Sequence, residues 1–327
     1  MTSARRVALN LATFIPGVSS LAPVQARLRR RMNVAEETSS ARYCYAVWMR
    51  HFGQAAGHGL DTDPRVVAEL GPGASLGVGL AALLCGAERY YAFDVVCHTA
   101  TAKNRIVFED LVRLFEARAA IPDAAEMPLV WPPLASYAFP HAALTPERLA
   151  RNLAPERLER IRRSLEHVDA PGSMIQYRAP WTDSGLIEDN AVDLVLSQAV
   201  FEHIDDLDGA YRTMRRWLRP GGLASHTIDF HSHDSSRRWD GHWGYSDLAW
   251  RIIRGRDVWS INREPCSTHR RLLAQNGLRI VGERLSRAQA TLAPRHLAAR
   301  FRALTEEDRT VNCAYFLCIK QPTPATC

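Results

Sequence analysis

The sequence is almost without lysine. Of its 41 basic residues only Lys103 and Lys320 are lysines, and the rest are arginine. A bias spread this evenly reflects genome composition rather than a binding surface. The formal charge of +6 therefore marks no nucleic-acid footprint, and no compact basic face stands out. Metal-type cysteine spacing is also missing. The seven cysteines, Cys44, Cys85, Cys97, Cys266, Cys313, Cys318 and Cys327, form no CxxC pair, which argues against a zinc or thioredoxin-type motif. An odd count in a long chain reads as reduced thiols and a cytoplasmic protein. Internal repeats and low-complexity tracts are absent, and no apolar run is long enough to cross a bilayer. The N-terminal stretch MTSARRVALNLATFIPGVSSLAPVQA has the faint outline of a signal peptide, but Asn10 and Pro16 interrupt it. The RLRRR run at Arg27 to Arg31 offers at most weak contact with an anionic membrane surface. A solvated basic helix is the preferred reading.

What is present is an alternating rhythm on a chain that is 46% apolar. Residues 1–60 read as a helical cover, with serine caps ahead of SSARYCYAVWMRHF and a loop at GQAAGHGLDTDP. From Arg65 onward RVVAEL, RYYAFDVV, SMIQYRAP, VDLVLSQAV, LASHTIDF, LRIVGERL and VNCAYFLCIK read as strands, with helical segments between most of them. One of those helices is DDLDGAYRTMRRWLRPGG, closed by Pro220-Gly221-Gly222. Another is STHRRLLAQNG, capped by Ser267 or Thr268. Near-continuous apolar strands separated by helices predict an α/β fold: a Rossmann-like, seven-stranded, mostly parallel sheet with helices on both faces. The last strand is apolar on both faces, so it is expected inside the sheet. Two segments break the rhythm. Residues 97–171 are helical, then Pro-rich, then helical. Residues 231–265 carry Trp239, Trp243, Trp250 and Trp259. Both read as insertions that cover a site, within a main domain of residues 61–327.

The stretch VAELGPGASLG, Val67 to Gly77, is a Gly-rich turn between a strand and a helix. As a dinucleotide fingerprint it is flawed. The third glycine falls at Gly77 rather than at Leu76, Pro72 lacks an N–H donor, and Glu69 would face a pyrophosphate. S-adenosylmethionine removes these faults, because its α-amino group and sulfonium are cationic and it has no phosphate. A carboxylate at Glu69 can pair with the amino group, and the glycines allow close backbone approach. Asp94, 21 residues after Gly73 and at the end of the next strand, suits ribose hydroxyls.

ELGPGASLG, the acid in YYAFD, VDLVLSQAVFEHIDDLD and WLRPGG together resemble the class I S-adenosylmethionine-dependent methyltransferases, in particular the small-molecule branch like methyltransferase type 11. The resemblance spans about residues 60 to 235. It implies that S-adenosylmethionine is the cofactor, with Glu69, Gly71, Pro72 and Gly73 holding its methionyl end and Asp94 its ribose. Pro180 and Trp181, after the third strand, would lie near the adenine, although the acidic residue frequent at that turn is missing. Ser197 and Gln198 would line the methyl-transfer face, and Tyr43 would close over the cofactor.

The end of the fourth strand, SQAVFEH, lacks the Asp/Asn-Pro-Pro-Tyr motif of enzymes that methylate adenine amines or glutamine amides. An acceptor hydroxyl needs a proton acceptor, and His203, His231 and His233 follow strands whose carboxyl ends form the crevice. HSHD, with Asp234, invites a metal reading. One dense cluster on one loop rarely makes a site, so no metal is expected. The tryptophans beside arginines suit a planar or carbohydrate acceptor, or else form a lid with its own small core. The expectation is a methyl transfer to a small-molecule hydroxyl. Three rivals remain: an RNA or protein methyltransferase, a nicotinamide-dependent oxidoreductase, and a methyltransferase-like binding protein without turnover. Oligomeric state is not legible.

Overall fold

The computed structural model describes residues 40–322 except 98–99, 182–183, 234, 256 and 258. The Arg27–Arg31 run, the signal-like stretch, Asp234 and Cys327 lie outside the described residues. In chain order the main elements are α1 Ala41–Gly57, β1 Val66–Leu70, α2 Gly77–Leu84, β2 Arg89–Phe93, α3 Thr101–Glu116, α4 Pro146–Asn152, α5 Pro155–Glu166 and β3 Ile175–Arg178. They continue with β4 Val192–Gln198, α6 Leu207–Trp217, β5 Leu218–Asp229, α7 Asp247–Arg254, α8 Cys266–Gln275, β6 Leu278–Arg287, α9 Glu306–Thr310 and β7 Val311–Lys320.

The seven strands form one sheet in the order β3-β2-β1-β4-β5-β7-β6. All pairs are parallel except those of β7, which runs antiparallel to both β5 and β6. β7 therefore sits inside the sheet, as its two apolar faces require. Alternate residues feed opposite faces. Val67, Leu194 and Leu196 join the core under α1, α2 and α3, while Ala68 and Val195 join the one under α6 and α8. The strand order reverses direction between β1 and β4, where a crevice opens outside the carboxyl ends of such sheets. Those two ends touch: a Cβ on Gly71 would stand 2.5 Å from Val200 Cγ2.

α1 is buried around almost its whole circumference, which requires partners on every side. It packs on α2 and α3. The Pro-rich residues 117–145 then wrap its outer face as a strap. Tyr45 donates to the Ala119 carbonyl at 2.6 Å, Arg50 to Pro122 at 2.9 Å and Gln54 to Pro133 at 3.1 Å. α1 is thus part of the main core. Its N-cap is Ser40, whose hydroxyl accepts from Tyr43 N at 3.1 Å.

Three local readings are corrected. GQAAG is the last turn of α1 and not loop; Gly53 stays helical because its bare Cα lets Leu134 of the strap approach, a Cβ there meeting that side chain at 3.0 Å. α6 ends at Trp217 rather than at Pro220-Gly221-Gly222, and Leu218 is already extended. Residues ahead of a proline disfavour the helical region, so the turn of the sequence is spent inside β5. α8 starts at Cys266 with Pro265 at its N-cap position and no side-chain capping bond; Ser267 is inside the helix, its N–H and hydroxyl both donating to Asp308 at 2.9 and 2.8 Å.

Gly79 in α2 shows how tightly the elements meet. A Cβ there would lie 2.0 Å from the Tyr90 ring, whereas one on Gly57 would meet nothing within 4 Å. Helix propensity favours alanine over glycine by about 1 kcal/mol, but overpacking a core costs about 1–3 kcal/mol or more. Gly79→Ala should lower the urea midpoint of unfolding, and Gly57→Ala should leave it unchanged or raise it slightly. Equal midpoints for the two variants would contradict this packing.

Candidate active site

The first wall of the crevice is the turn after β1. Glu69 sits on β1 between Ala92 of β2 and Leu196 of β4 and is only 3% exposed. The Tyr90 hydroxyl donates to its Oε2 at 2.5 Å. The ring reaches that far because it lies across Gly79. Burial pushes the Glu69 carboxyl up to about 7, Asp94 adds to the rise, and the Tyr90 bond and the Gly79 amide oppose it. Gly71 and Gly73 have φ of +68° and +67°, a region costly to residues with a Cβ. Gly73 borders open space, and its N–H donates to Asp94 Oδ2 at 3.2 Å. The late third glycine serves packing instead: a Cβ on Gly77 would strike Cys44 Sγ at 2.4 Å and Val107 at 2.8 Å.

Asp94 is 8% exposed. Its Oδ1 accepts from Val95 N at 2.7 Å, and its carbonyl accepts from Trp181 N at 2.8 Å. Trp181 is half-buried, with its ring centroid 5.7 Å from both Phe93 and Trp217, while Pro180 is exposed beside it. Tyr43 is half-buried on the first turn of α1, and its phenol is raised by burial and by the nearby Cys44 and Glu69. Gly73 and Trp181 are thus both hydrogen-bonded to Asp94, and Tyr43 lies close to Glu69.

Ser197 and Gln198 part company. Ser197 is fully buried, with its Oγ 2.8 Å from His226 Nδ1, so its side chain belongs to the interior and does not line the crevice. Gln198 is half-buried next to His51. His51 in turn ties α1 to the sheet: its Nδ1 is 2.6 Å from Ser225 Oγ, which is 2.7 Å from the Tyr315 hydroxyl. Burial lowers the His51 imidazole to about 4, against the influence of Gln198, so it stays neutral there at pH 7.

The second wall gathers all three candidate histidines. His203 ends the short 3₁₀ turn Phe201–His203 after β4. It is not the cap of α6, a role taken by Asp206, whose carboxylate accepts from Gly209 N at 2.9 Å. Its ring lies edge-on to that of His233, 5.1 Å between centroids. His233 Nε2 is 3.0 Å from Asp229 Oδ2, and His231 Nδ1 bonds the other oxygen. Burial works against the Asp229 charge, but the two histidine bonds overcome it and hold the carboxyl below the usual range. The bond to Asp229 raises His231 against burial. Glu202, next to His203, is 2% exposed. Burial and then the Asp229 charge raise it well above the carboxylate range, with only backbone amides to oppose them. Glu202, Asp229 and Tyr90 were not singled out from the sequence. The available signal was an acid beside or just before each candidate histidine.

The lid roots in this turn. Asn262 N donates to the Glu202 carbonyl at 2.6 Å, and its side chain donates to Phe201 and Ile204 at 2.8 and 2.7 Å. Three of its four tryptophans have packing roles. Trp243 is buried with Leu292, Leu297 and Phe301, and Trp239 packs against them. Trp250 covers the Arg263 guanidinium at 4.9 Å, with Phe301 also 4.9 Å from it.

Residues 139–225 match the family model described as a methyltransferase domain. The match runs from the strap into β5 and leaves out the Glu69 turn. No curated protein matches the sequence. Similar solved structures include phosphoethanolamine N-methyltransferase 2 from Haemonchus contortus, with 14% identity, a TM-score of 0.40 and coverage of 84% of this chain and 53% of that one. The chain thus spans about half the length of that enzyme. A putative S-adenosylmethionine-dependent methyltransferase from Listeria monocytogenes has 15% identity, a TM-score of 0.40 and coverage of 85% and 98%. A putative sarcosine dimethylglycine methyltransferase from Galdieria sulphuraria has 12% identity, a TM-score of 0.42 and coverage of 84% and 85%. Likeness at this level names no substrate.

The sequence expectation that Glu69 pairs with the amino group of the cofactor carries a pH dependence. A carboxyl that ionises near 7 attracts an ammonium only above that pH. Affinity for S-adenosylhomocysteine should therefore rise from pH 6 to 8 and level off. Tyr90→Phe removes a hydrogen bond to a charged group, worth about 1.5–3 kcal/mol, so the midpoint should move up by about one to two pH units. Calorimetric titrations across pH check this, and identical flat profiles for both proteins would contradict it.

Proposed function

We propose that this chain is a class I S-adenosylmethionine-dependent methyltransferase and that it passes the methyl group to a hydroxyl oxygen of a small-molecule acceptor, such as a sugar or secondary metabolite. The observation that carries the reading is Glu69, a buried carboxylate at a glycine turn bordering open space, opposite a histidine–carboxylate cluster. In this reading Glu69, Gly71, Pro72 and Gly73 hold the methionyl end, Asp94 the ribose, and Pro180 and Trp181 flank the adenine. Tyr43 covers the cofactor, and Gln198 faces the acceptor. Ser197 would contribute only its main chain, since its side chain is bonded to His226.

The acceptor oxygen attacks the methyl carbon in line. A C–O bond forms as the C–S bond breaks, and its electron pair stays on sulfur as S-adenosylhomocysteine. The hydroxyl proton passes to His203 or His233. Asp229 fixes His233 through Nε2 and is the positioning residue. His231 has Nδ1 on Asp229 and Nε2 3.5 Å from Asn312 Nδ2, so it is less suited to take a proton and better suited to hold Asp229. Alignment supplies the larger part of the rate. A small acceptor is favoured because α1, the strap and the lid all crowd the approach. The strap's Trp131 carbonyl accepts from Thr227 Oγ1 on β5 at 3.2 Å.

Turnover can be read with methyl-labelled S-adenosylmethionine and a panel of hydroxylated small molecules. At least one of His203→Ala and His233→Ala should lower kcat by about 100-fold or more, with S-adenosylhomocysteine affinity retained. Full turnover in both removes the histidine base. Label appearing only in RNA or protein would contradict the small acceptor.

A further inference from the structure

Two strand ends bring three metal-ligating side chains together. Glu202 follows β4, Asp229 ends β5 and His233 lies four residues on. Each offers a donor atom within 4.8 Å of the other two. Glu202 is the unusual member. It is 2% exposed, and among the described residues no side chain hydrogen-bonds either carboxyl oxygen. A second carboxylate, Asp229, stands beside it. An acid kept in such a place without a partner side chain calls for an explanation, and an ion is one that fits.

We propose that Glu202, Asp229 and His233 bind a divalent cation whose remaining positions take water or the acceptor oxygen. The donor set of two carboxylates and one imidazole points to Mn(II), Fe(II) or Zn(II), because Mg(II) and Ca(II) prefer oxygen alone. Two negative charges balance the ion and relieve the repulsion between the acids. The spacing is close to what a cation needs. Neighbouring ligands at bonds of about 2.1 Å stand about 3.0 Å apart and opposite ones about 4.2 Å. His233 Nε2 and Asp229 Oδ2 are already 3.0 Å apart, so Glu202 has only a short distance to close. His231, on the other Asp229 oxygen, gives the outer support that ligating carboxylates commonly have. Candidate residues on one loop alone would not make a site; Glu202, from another strand end, completes it.

The cation's role toward the acceptor rests on the methyl-transfer reading: bound to the acceptor hydroxyl, it would ease loss of the proton that His203 then receives. The site itself does not depend on that reading. The full chain, stripped by chelator, is titrated with MnCl₂ by electron paramagnetic resonance of free Mn(II) and with ZnCl₂ by calorimetry. S-adenosylhomocysteine affinity is measured on the same preparations. One ion per chain is expected, with affinity reduced at least tenfold in Glu202→Gln and in His233→Ala while S-adenosylhomocysteine affinity changes less than twofold. A chain that binds S-adenosylhomocysteine but neither metal overturns the proposal, as do variants that bind metal as tightly as the parent. If Glu202→Gln does not fold, His233→Ala decides alone. If metal binds and S-adenosylhomocysteine does not, the methyl-transfer reading falls and the cation site stands.

Discussion

The hydrogen bond from the Tyr90 hydroxyl to the buried Glu69 carboxylate, 2.5 Å long, is the interaction on which the crevice depends. A carboxylate removed from water strongly prefers to be neutral. The Tyr90 bond and the Gly79 amide are what keep its ionisation near 7, where modest help from a cationic ligand is enough to hold the charge. That one requirement propagates. Gly79 must lack a side chain for the ring to cross it. Gly77 must lack one for α1 and α3 to close over α2. α1 must then be covered on its outer side, which the strap does.

The opposite wall follows a different logic. Asp229 is shared by two imidazoles, and Glu202 sits next to them with no side-chain partner among the described residues. The lid reaches this turn through Asn262 and is otherwise held by a cluster that its Trp243 shares with Leu292, Leu297 and Phe301, and by Arg263 between the Trp250 and Phe301 rings. The result is a turn built around one buried carboxyl and a turn built around two acids and three imidazoles, joined where Gly71 meets Val200.

Much of this was legible in the sequence. The strand rhythm located β1 through β7, and the two apolar faces of VNCAYFLCIK put β7 inside the sheet, where it pairs with β5 and β6. Glu69, Gly71, Gly73 and Asp94 stand at strand ends, where local pattern is informative. What was illegible depends on pairs far apart in sequence. Tyr90 looked like one more apolar strand residue, and nothing local says its hydroxyl meets Glu69. Glu202 was passed over for its neighbour His203. Ser197 is the last residue but one of an apolar strand, and the strand's alternation turns its side chain inward to His226. GQAAG carries two glycines and read as loop, because the burial that stabilises the last turn of α1 comes from a strap some 80 residues later.

The central claim is that the Glu69 turn receives the cationic end of S-adenosylmethionine and not a pyrophosphate. Calorimetric titration of the parent chain and of Glu69→Gln with S-adenosylhomocysteine, beside the same titrations with NADH, tests it most directly. The account predicts one S-adenosylhomocysteine per parent chain, an affinity about 10- to 100-fold weaker in the variant, and no heat from NADH. Binding of NADH, or S-adenosylhomocysteine affinity indifferent to Glu69, would contradict it.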